Sequence, residues 1–187
     1  MTNYVFLAEG FEELEAIAVI DMLRRAGMNV NVVSAAGNGL EVAGAHGLVV
    51  KAESFLADIE VAEADRMILP GGYDGTMNLA ACEPFTDMLA AHFNRGGKVA
   101  AICAAPSIVL APLGLLKGRK ATCYPGMEEP CVAGGAVMAG CRAVVDGNLI
   151  TGNGPASAIE FASAVITDTV GAEAAAQVEA GMLYDRK

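Results

Sequence analysis

Lys98-Val99-Ala100-Ala101-Ile102-Cys103-Ala104-Ala105-Pro106 is an apolar run, entered from Gly96-Gly97, that delivers a cysteine three residues ahead of a proline. Such a run reads as a buried strand, and Pro106 suits the first position of a helix, where a missing N–H loses no partner. Cys103 therefore lies at a strand-to-helix junction. A turn this sharp crowds the neighbouring chain, so its flanks must be small, as Ala101 and Ala105 are. The helix N-terminus adds partial positive charge and free backbone N–H groups, and both favour thiolate over thiol. The expected direction is a lowered cysteine pKa. A lone cysteine is commonly a small buried hydrophobe; placement on an elbow makes reactivity the stronger reading.

The flanking segments repeat the alternation of strand and helix. Residues 5–8 read as a first strand, and 13–26 carry Leu14, Ile17, Ala18, Ile20, Met22 and Leu23 at helical spacing before Gly27. Residues 30–34 form a second strand, followed by short ones at 40–43 and 48–50, separated by Gly44 and Gly47 as in a small hairpin. Residues 65–69 form the next buried strand, ending at Pro70-Gly71-Gly72; polar loop residues and a helix at 84–94 come next. After the cysteine helix come a strand at 120–124, an irregular Pro- and Gly-rich stretch, and strands 142–145 and 149–151 around Asp146-Gly147-Asn148, a hairpin signal. Helices at 155–170 and 173–181 close the chain. This pattern predicts an α/β protein with a largely parallel sheet covered by helices on both faces. At 187 residues, without internal repeat or linker, a single domain over 1–187 is expected.

Composition narrows the function classes. With 54% apolar and 18% charged residues the chain is not disordered, and no apolar run reaches the length of a membrane span. Twelve Lys and Arg against twenty-two Asp and Glu give a net charge of −10, which repels nucleic acid and anionic membranes. The first residues lack the basic segment and cleavage site of a secretory signal, so a cytoplasmic location is expected. The five cysteines, Cys82, Cys103, Cys123, Cys131 and Cys141, show neither Cys-x-x-Cys spacing nor a histidine cluster, and suggest no disulfide framework, metal or cofactor.

In open sheets of this kind, sites lie beyond the carboxyl ends of the strands. Three loops qualify: 9–15, 70–74 and 103–107. Gly71 and Gly72 permit close backbone approach, so their N–H groups, with that of Ala104, form a candidate anion pocket beside the sulfur. Glu12, Glu13 and Glu15 fall in a helix's first turn, where acidic residues normally complement the dipole. Glu15 is the one whose neighbouring apolar stripe lets a carboxyl point inward and share a proton with the thiol.

Glu9-Gly10-Phe11-Glu12-Glu13-Leu14-Glu15, Leu69-Pro70-Gly71-Gly72, Ala100-Ala101-Ile102-Cys103-Ala104-Ala105-Pro106 and Gly154-Pro155-Ala156-Ser157 with Glu160-Phe161-Ala162 resemble, in order and spacing, the ThiJ/PfpI superfamily. Within it they are similar to the branch of the parkinsonism-associated deglycase and its bacterial relatives. The resemblance runs nearly end to end, and the four motifs together are specific. It implies one class I glutamine amidotransferase-like domain with a flavodoxin-like three-layer fold, usually a homodimer. It also implies Cys103 as nucleophile, Glu15 as a protonated acid that lowers the thiol pKa and steadies an oxidised sulfinate, and an anion pocket at Gly72 and Ala104. Pro155 matches a residue lining the site, and Arg25, within Arg24-Arg25-Ala26-Gly27, falls in a segment near the dimer interface and is expected, like Pro155, to line the site.

One departure decides between chemistries. Where human-like members carry a histidine between threonine and proline, this chain has Tyr124 in Thr122-Cys123-Tyr124-Pro125. Of the two histidines, His92 reads as a surface or satisfied helix residue, while His46 falls in a turn near the site. Amide hydrolysis needs a histidine base, and Ala104 occupies the place after the cysteine where the protease branch carries one. Peptidase activity is therefore disfavoured. The expected function is a deglycase or cofactor-independent glyoxalase acting on methylglyoxal or early aldehyde adducts, in which Tyr124 donates a hydrogen bond. The alternative is a redox sensor or stress-protective protein whose cysteine becomes sulfinate. Some relatives take a name from thiazole-phosphate biosynthesis, which nothing in these residues supports.

Overall fold

The computed structural model describes residues 1–35 and 39–185. In chain order the elements are β1 Thr2–Leu7, α1 Glu13–Arg25, β2 Asn29–Ser34, β3 Glu41–Ala43, β4 Val49–Lys51, β5 Ser54–Phe55, β6 Arg66–Leu69, α2 Tyr73–Ala81, α3 Glu83–Asn94 and β7 Lys98–Ile102. There follow β8 Lys120–Ala121, α4 Glu128–Ala133, β9 Val137–Met138, β10 Ala143–Asp146, β11 Leu149–Gly152, α5 Ala158–Val170 and α6 Ala172–Gly181. Seven strands make one sheet in the order β10-β11-β7-β6-β1-β2-β5, parallel throughout except for edge strand β10, which pairs antiparallel with β11. The five long parallel strands thus run β2-β1-β6-β7-β11, the flavodoxin-like order. The order reverses between β1 and β6.

Each strand buries both faces, which is why its sequence is continuously apolar. Along β1, Val5 and Leu7 join the core under α1, α5 and α6, while Tyr4 and Phe6 join the core under α3 and the turn after Cys103. In β7, Ala100 and Ile102 face the first core and Val99 and Ala101 the second. This two-residue alternation makes three layers from one sheet. The expected hairpins form, β3 against β4 and β10 against β11 across the Asp146-Gly147-Asn148 turn.

The structure differs from the sequence expectation at three places near the site. Residues 73–81, expected as a polar loop, are helix α2; only Gly75, Thr76 and Leu79 are buried there, too few apolar positions to signal a helix. The helix after Cys103 is not an α-helix but a wider turn with bonds between residues five apart, Ala111 N–H to Pro106 O (2.9 Å) and Leu115 N–H to Leu110 O (3.1 Å). Strand β8 stops after two residues because the next N–H groups turn away: Thr122 donates to Thr151 Oγ1 and Tyr124 to the Cys103 carbonyl, both at 2.9 Å. Among the described residues no helix is long and apolar enough to cross a membrane.

Candidate active site

Cys103 has φ +64°, a left-handed conformation that a non-glycine residue adopts at a cost of about 1–2 kcal/mol. The surroundings hold it there. Its N–H donates to Gly152 O and its carbonyl accepts from Tyr124 N–H, each at 2.9 Å, while Ala104 O starts the next turn by accepting from Ser107 and Ile108. Strain over-determined in this way is a mark of a functional position. Pro106 begins the helical turn, as its fixed φ and missing N–H suggest.

Glu15, on the first turn of α1, is fully buried and points at the sulfur from across the β1/β6 switch point. The Gly71 N–H donates to its Oε2 at 2.6 Å. A Cβ on Gly71 would stand 2.5 Å from both the Cys103 Cβ and Glu15 Oε2, so the position admits only glycine. Gly72, at φ +88°, turns the chain against the Gly10 carbonyl and aims its own N–H, with that of Ala104, at the Cys103 sulfur. Two of the three N–H groups expected around the sulfur thus face it. Gly71 is the correction: its N–H is spent on Glu15.

The helix-dipole expectation of an independently lowered thiol pKa is also corrected. Burial first, then the charge and hydrogen bond of Glu15, push Cys103 up to about 12, against the Gly72 and Ala104 N–H groups that lower it. Burial likewise raises Glu15 to about 7, although the bonds from Gly71 and Cys103 oppose it. Two acids this close cannot both ionise near neutrality, so the pair sheds one proton near 7 and carries a single shared charge above it. Two N–H groups serve the sulfur and one serves the carboxyl, whose Oε1 accepts from no N–H or O–H among the described residues. The pair's one charge sits on the carboxylate or, with the proton passed to Glu15, on the sulfur that the Gly72 and Ala104 N–H groups face.

Residues 1–168 match the model of the DJ-1/PfpI family. The chain belongs to the DJ-1/PfpI family. It is 40% identical over 172 residues to Protein DJ-1 homolog A of Arabidopsis thaliana, covering 92% of this chain and 43% of that protein; the chain thus spans less than half of that relative. It is 32% identical over 166 residues to the protein named Glutathione-independent glyoxalase DJR-1.2 of Caenorhabditis elegans, covering 88% and 86%. The solved structure titled Toxoplasma gondii DJ-1, oxidized, superposes with a TM-score of 0.92 at 35% identity over 99% of both chains.

Other positions expected at this DJ-1/PfpI site divide. Tyr124 borders the Cys103 loop through its N–H, and its ring packs over Gly154, next to Pro155, which opens the short turn before α5. His46 is exposed and clamped on Glu13, its N–H donating to Oε1 at 2.6 Å and its Nδ1 meeting Oε2 at 2.8 Å. Burial raises the Glu13 carboxyl, but the His46 bonds outweigh it and hold the carboxyl below its ordinary value. Arg25 does not line the site. It ends α1, ten residues and about 15 Å of helix axis beyond Glu15, and pairs with Asp21 at 2.6 Å. The three acidic residues thus take three roles, since Glu12 caps α1 by accepting the Glu15 N–H at 2.8 Å. Among the described residues, Glu12, Glu13 and His46 are the one group with metal-ligand chemistry, within 4.8 Å of one another, and their atoms are committed to each other and to the cap. A surface cleft of about 500 Å³ between β10 and α5 contains none of the expected site residues. Sequence reasoning missed the Glu13–His46 clamp and the Tyr124 N–H; neither a carboxylate's rotamer nor a backbone donor leaves a sequence signal.

Proposed function

We propose that this chain is a cysteine-dependent, cofactor-independent glyoxalase or deglycase acting on methylglyoxal or early aldehyde adducts. The observation that carries the reading is the buried Glu15 carboxyl against the Cys103 sulfur, with the Gly72 and Ala104 N–H groups aimed at the same atom. The name of the Caenorhabditis elegans relative supports it. The Cys103 thiolate adds to the aldehyde carbon, and the alkoxide takes the Glu15 proton beside the pocket's N–H groups, leaving a hemithioacetal. The Glu15 carboxylate then removes the proton from the former aldehyde carbon and returns it to the adjacent carbonyl carbon. The resulting lactyl thioester is cleaved by water, so methylglyoxal plus water becomes lactate and the thiol is regenerated. Methylglyoxal consumption with lactate detection tests this: Cys103→Ala should lose at least a hundredfold in rate, and equal rates in the two proteins would overturn the assignment.

The second reading, oxidation of Cys103 to sulfinate as the main role, is favoured by the same neutral acid and anion pocket, and by the similarity to Toxoplasma gondii DJ-1, whose solved structure is described as oxidized. The site acts in a homodimer on this proposal. Leu14 and Ile17 on α1 and Leu48 before β4 form an exposed apolar patch. Sedimentation should find two copies together and Ile17→Glu should separate them.

A further inference from the structure

Behind the elbow, on the second core's side of the sheet, lies a group of side chains that the proposed reaction does not use. Cys123 and Cys131 are 3% and 0% exposed, although seven residues separate them in sequence and no motif links them. Ser107, four residues after the nucleophile, joins them: its Oγ lies 3.3 Å from Cys131 Sγ and 2.7 Å from Met127 O. The Cys123 sulfur faces the Cys131 sulfur and the Ser107 hydroxyl, and its thiol also points to the Tyr124 carbonyl at 3.6 Å. Both sulfurs are free thiols. A buried thiol normally packs as a small hydrophobe among apolar neighbours. Here two thiols and a hydroxyl face each other in an otherwise apolar core.

We propose that Cys123 and Cys131 form a second redox site, separate from Cys103, that a peroxide converts to a reversible disulfide. Cys131 is the attacking sulfur. The hydrogen bond from Cys123 lowers the Cys131 thiol against the opposing effect of burial, while Cys123 is pushed above its ordinary value. The Cys131 thiolate attacks a peroxide oxygen, the O–O bond breaks, and the Cys131 sulfenic acid forms with release of one water. The Cys123 sulfur then attacks Cys131, the S–S bond forms, the S–O bond breaks, and the Cys123 proton leaves with the hydroxyl as a second water. Two thiols lose two electrons and two protons, and the peroxide is reduced to two waters. Access requires only a small oxidant and opening of α4, a six-residue helix with exposed neighbours such as Val132.

The test treats the reduced full-length chain with stoichiometric hydrogen peroxide, blocks remaining thiols by alkylation, and maps peptides by mass spectrometry without reduction. Cleavage after Glu128 separates the two cysteines, so the disulfide appears as a cross-linked pair two hydrogens lighter than its reduced parts. The expected result is a Cys123–Cys131 cross-link more abundant than any involving Cys82 or Cys141, reversed by dithiothreitol, lost in Cys131→Ser and undiminished in Cys103→Ala. Recovery of Cys123 and Cys131 as alkylated thiols while Cys141 is oxidised would overturn the proposal. So would a cross-link that disappears in Cys103→Ala, since the oxidation would then originate at the nucleophile.

Discussion

Arg66, at the entrance of β6, and Glu15, beyond the exit of β1, are buried to 1% and 0% exposure at opposite ends of the same sheet. Around Arg66 the charges are opposite and the bonds many. Asp168 accepts from its Nη2, Thr169 Oγ1 accepts from Nη1 at 2.8 Å, Val165 O does so at 3.2 Å, and Lys98 Nζ reaches Asp168 at 2.7 Å. Among the described residues no cation pairs with Glu15, and its partner is a second acid. A paired charge is fixed in place, whereas two acids without a cation leave one proton free to move between them. Burial of charge is therefore not what distinguishes the reactive end. The difference lies in how the charge is compensated.

The largest expected effect comes from converting the reactive end toward the fixed one. Glu15→Gln keeps an acceptor for the Gly71 N–H but cannot carry a proton, so aldehyde consumption should fall about a hundredfold. The pH profile of Cys103 alkylation should collapse from the pair's two steps to one, with its midpoint moved up from the wild-type onset near 7, because an amide donates to a thiolate more weakly than a carboxylic acid does. A profile unchanged from wild type would remove Glu15 from the proton relay. The variant also reads out in stability. A carboxyl raised from 4.5 to about 7 contributes stability that is complete below pH 4.5 and is lost as the pH rises through about 7. Glu15→Gln should flatten that fall in chemical denaturation.

A smaller effect, of opposite pH sign, is expected at the other end. Asp168→Asn leaves Arg66 buried without its counter-charge, and should cost about 2–3 kcal/mol in urea unfolding, less than for a fully buried pair because Asp168 is itself partly exposed. Burial raises the Asp168 carboxyl, but Lys98 and Arg66 outweigh it and hold the group below its ordinary value. Its stabilising contribution is thus present above the unfolded-state pKa of 3.8 and lost as pH falls through the folded value. The substitution should flatten the acid side and leave Cys103 alkylation unchanged. Altered alkylation would show that the two ends communicate through the sheet.

The sequence made the sheet legible because both faces of the strands are buried, so apolar runs and glycine stops mark each one, as at 65–69 and 98–102. Cys103 was legible for the same reason, from its place at a strand's end before Pro106. Helix α2 was not, since its inward face is mainly Leu79 beside glycine and threonine. Nor was the division of labour among Glu12, Glu13 and Glu15: all three suit a first helical turn, and only the fold decides which faces Cys103, which faces His46 and which turns back on the backbone. Arg25 was misplaced because proximity along a motif does not survive three turns of helix. The sign of the thiol's shift was missed because it is set first by burial and then by Glu15, a neighbour eighty-eight positions away in the chain, rather than by the local dipole.

The left-handed backbone at Cys103 places fitness for folding and fitness for chemistry in conflict at a single codon. Glycine is the residue most at ease at that φ, and it would also end the chemistry. Under selection for robustness alone, position 103 drifts toward glycine, and only continued demand for the sulfur holds it back.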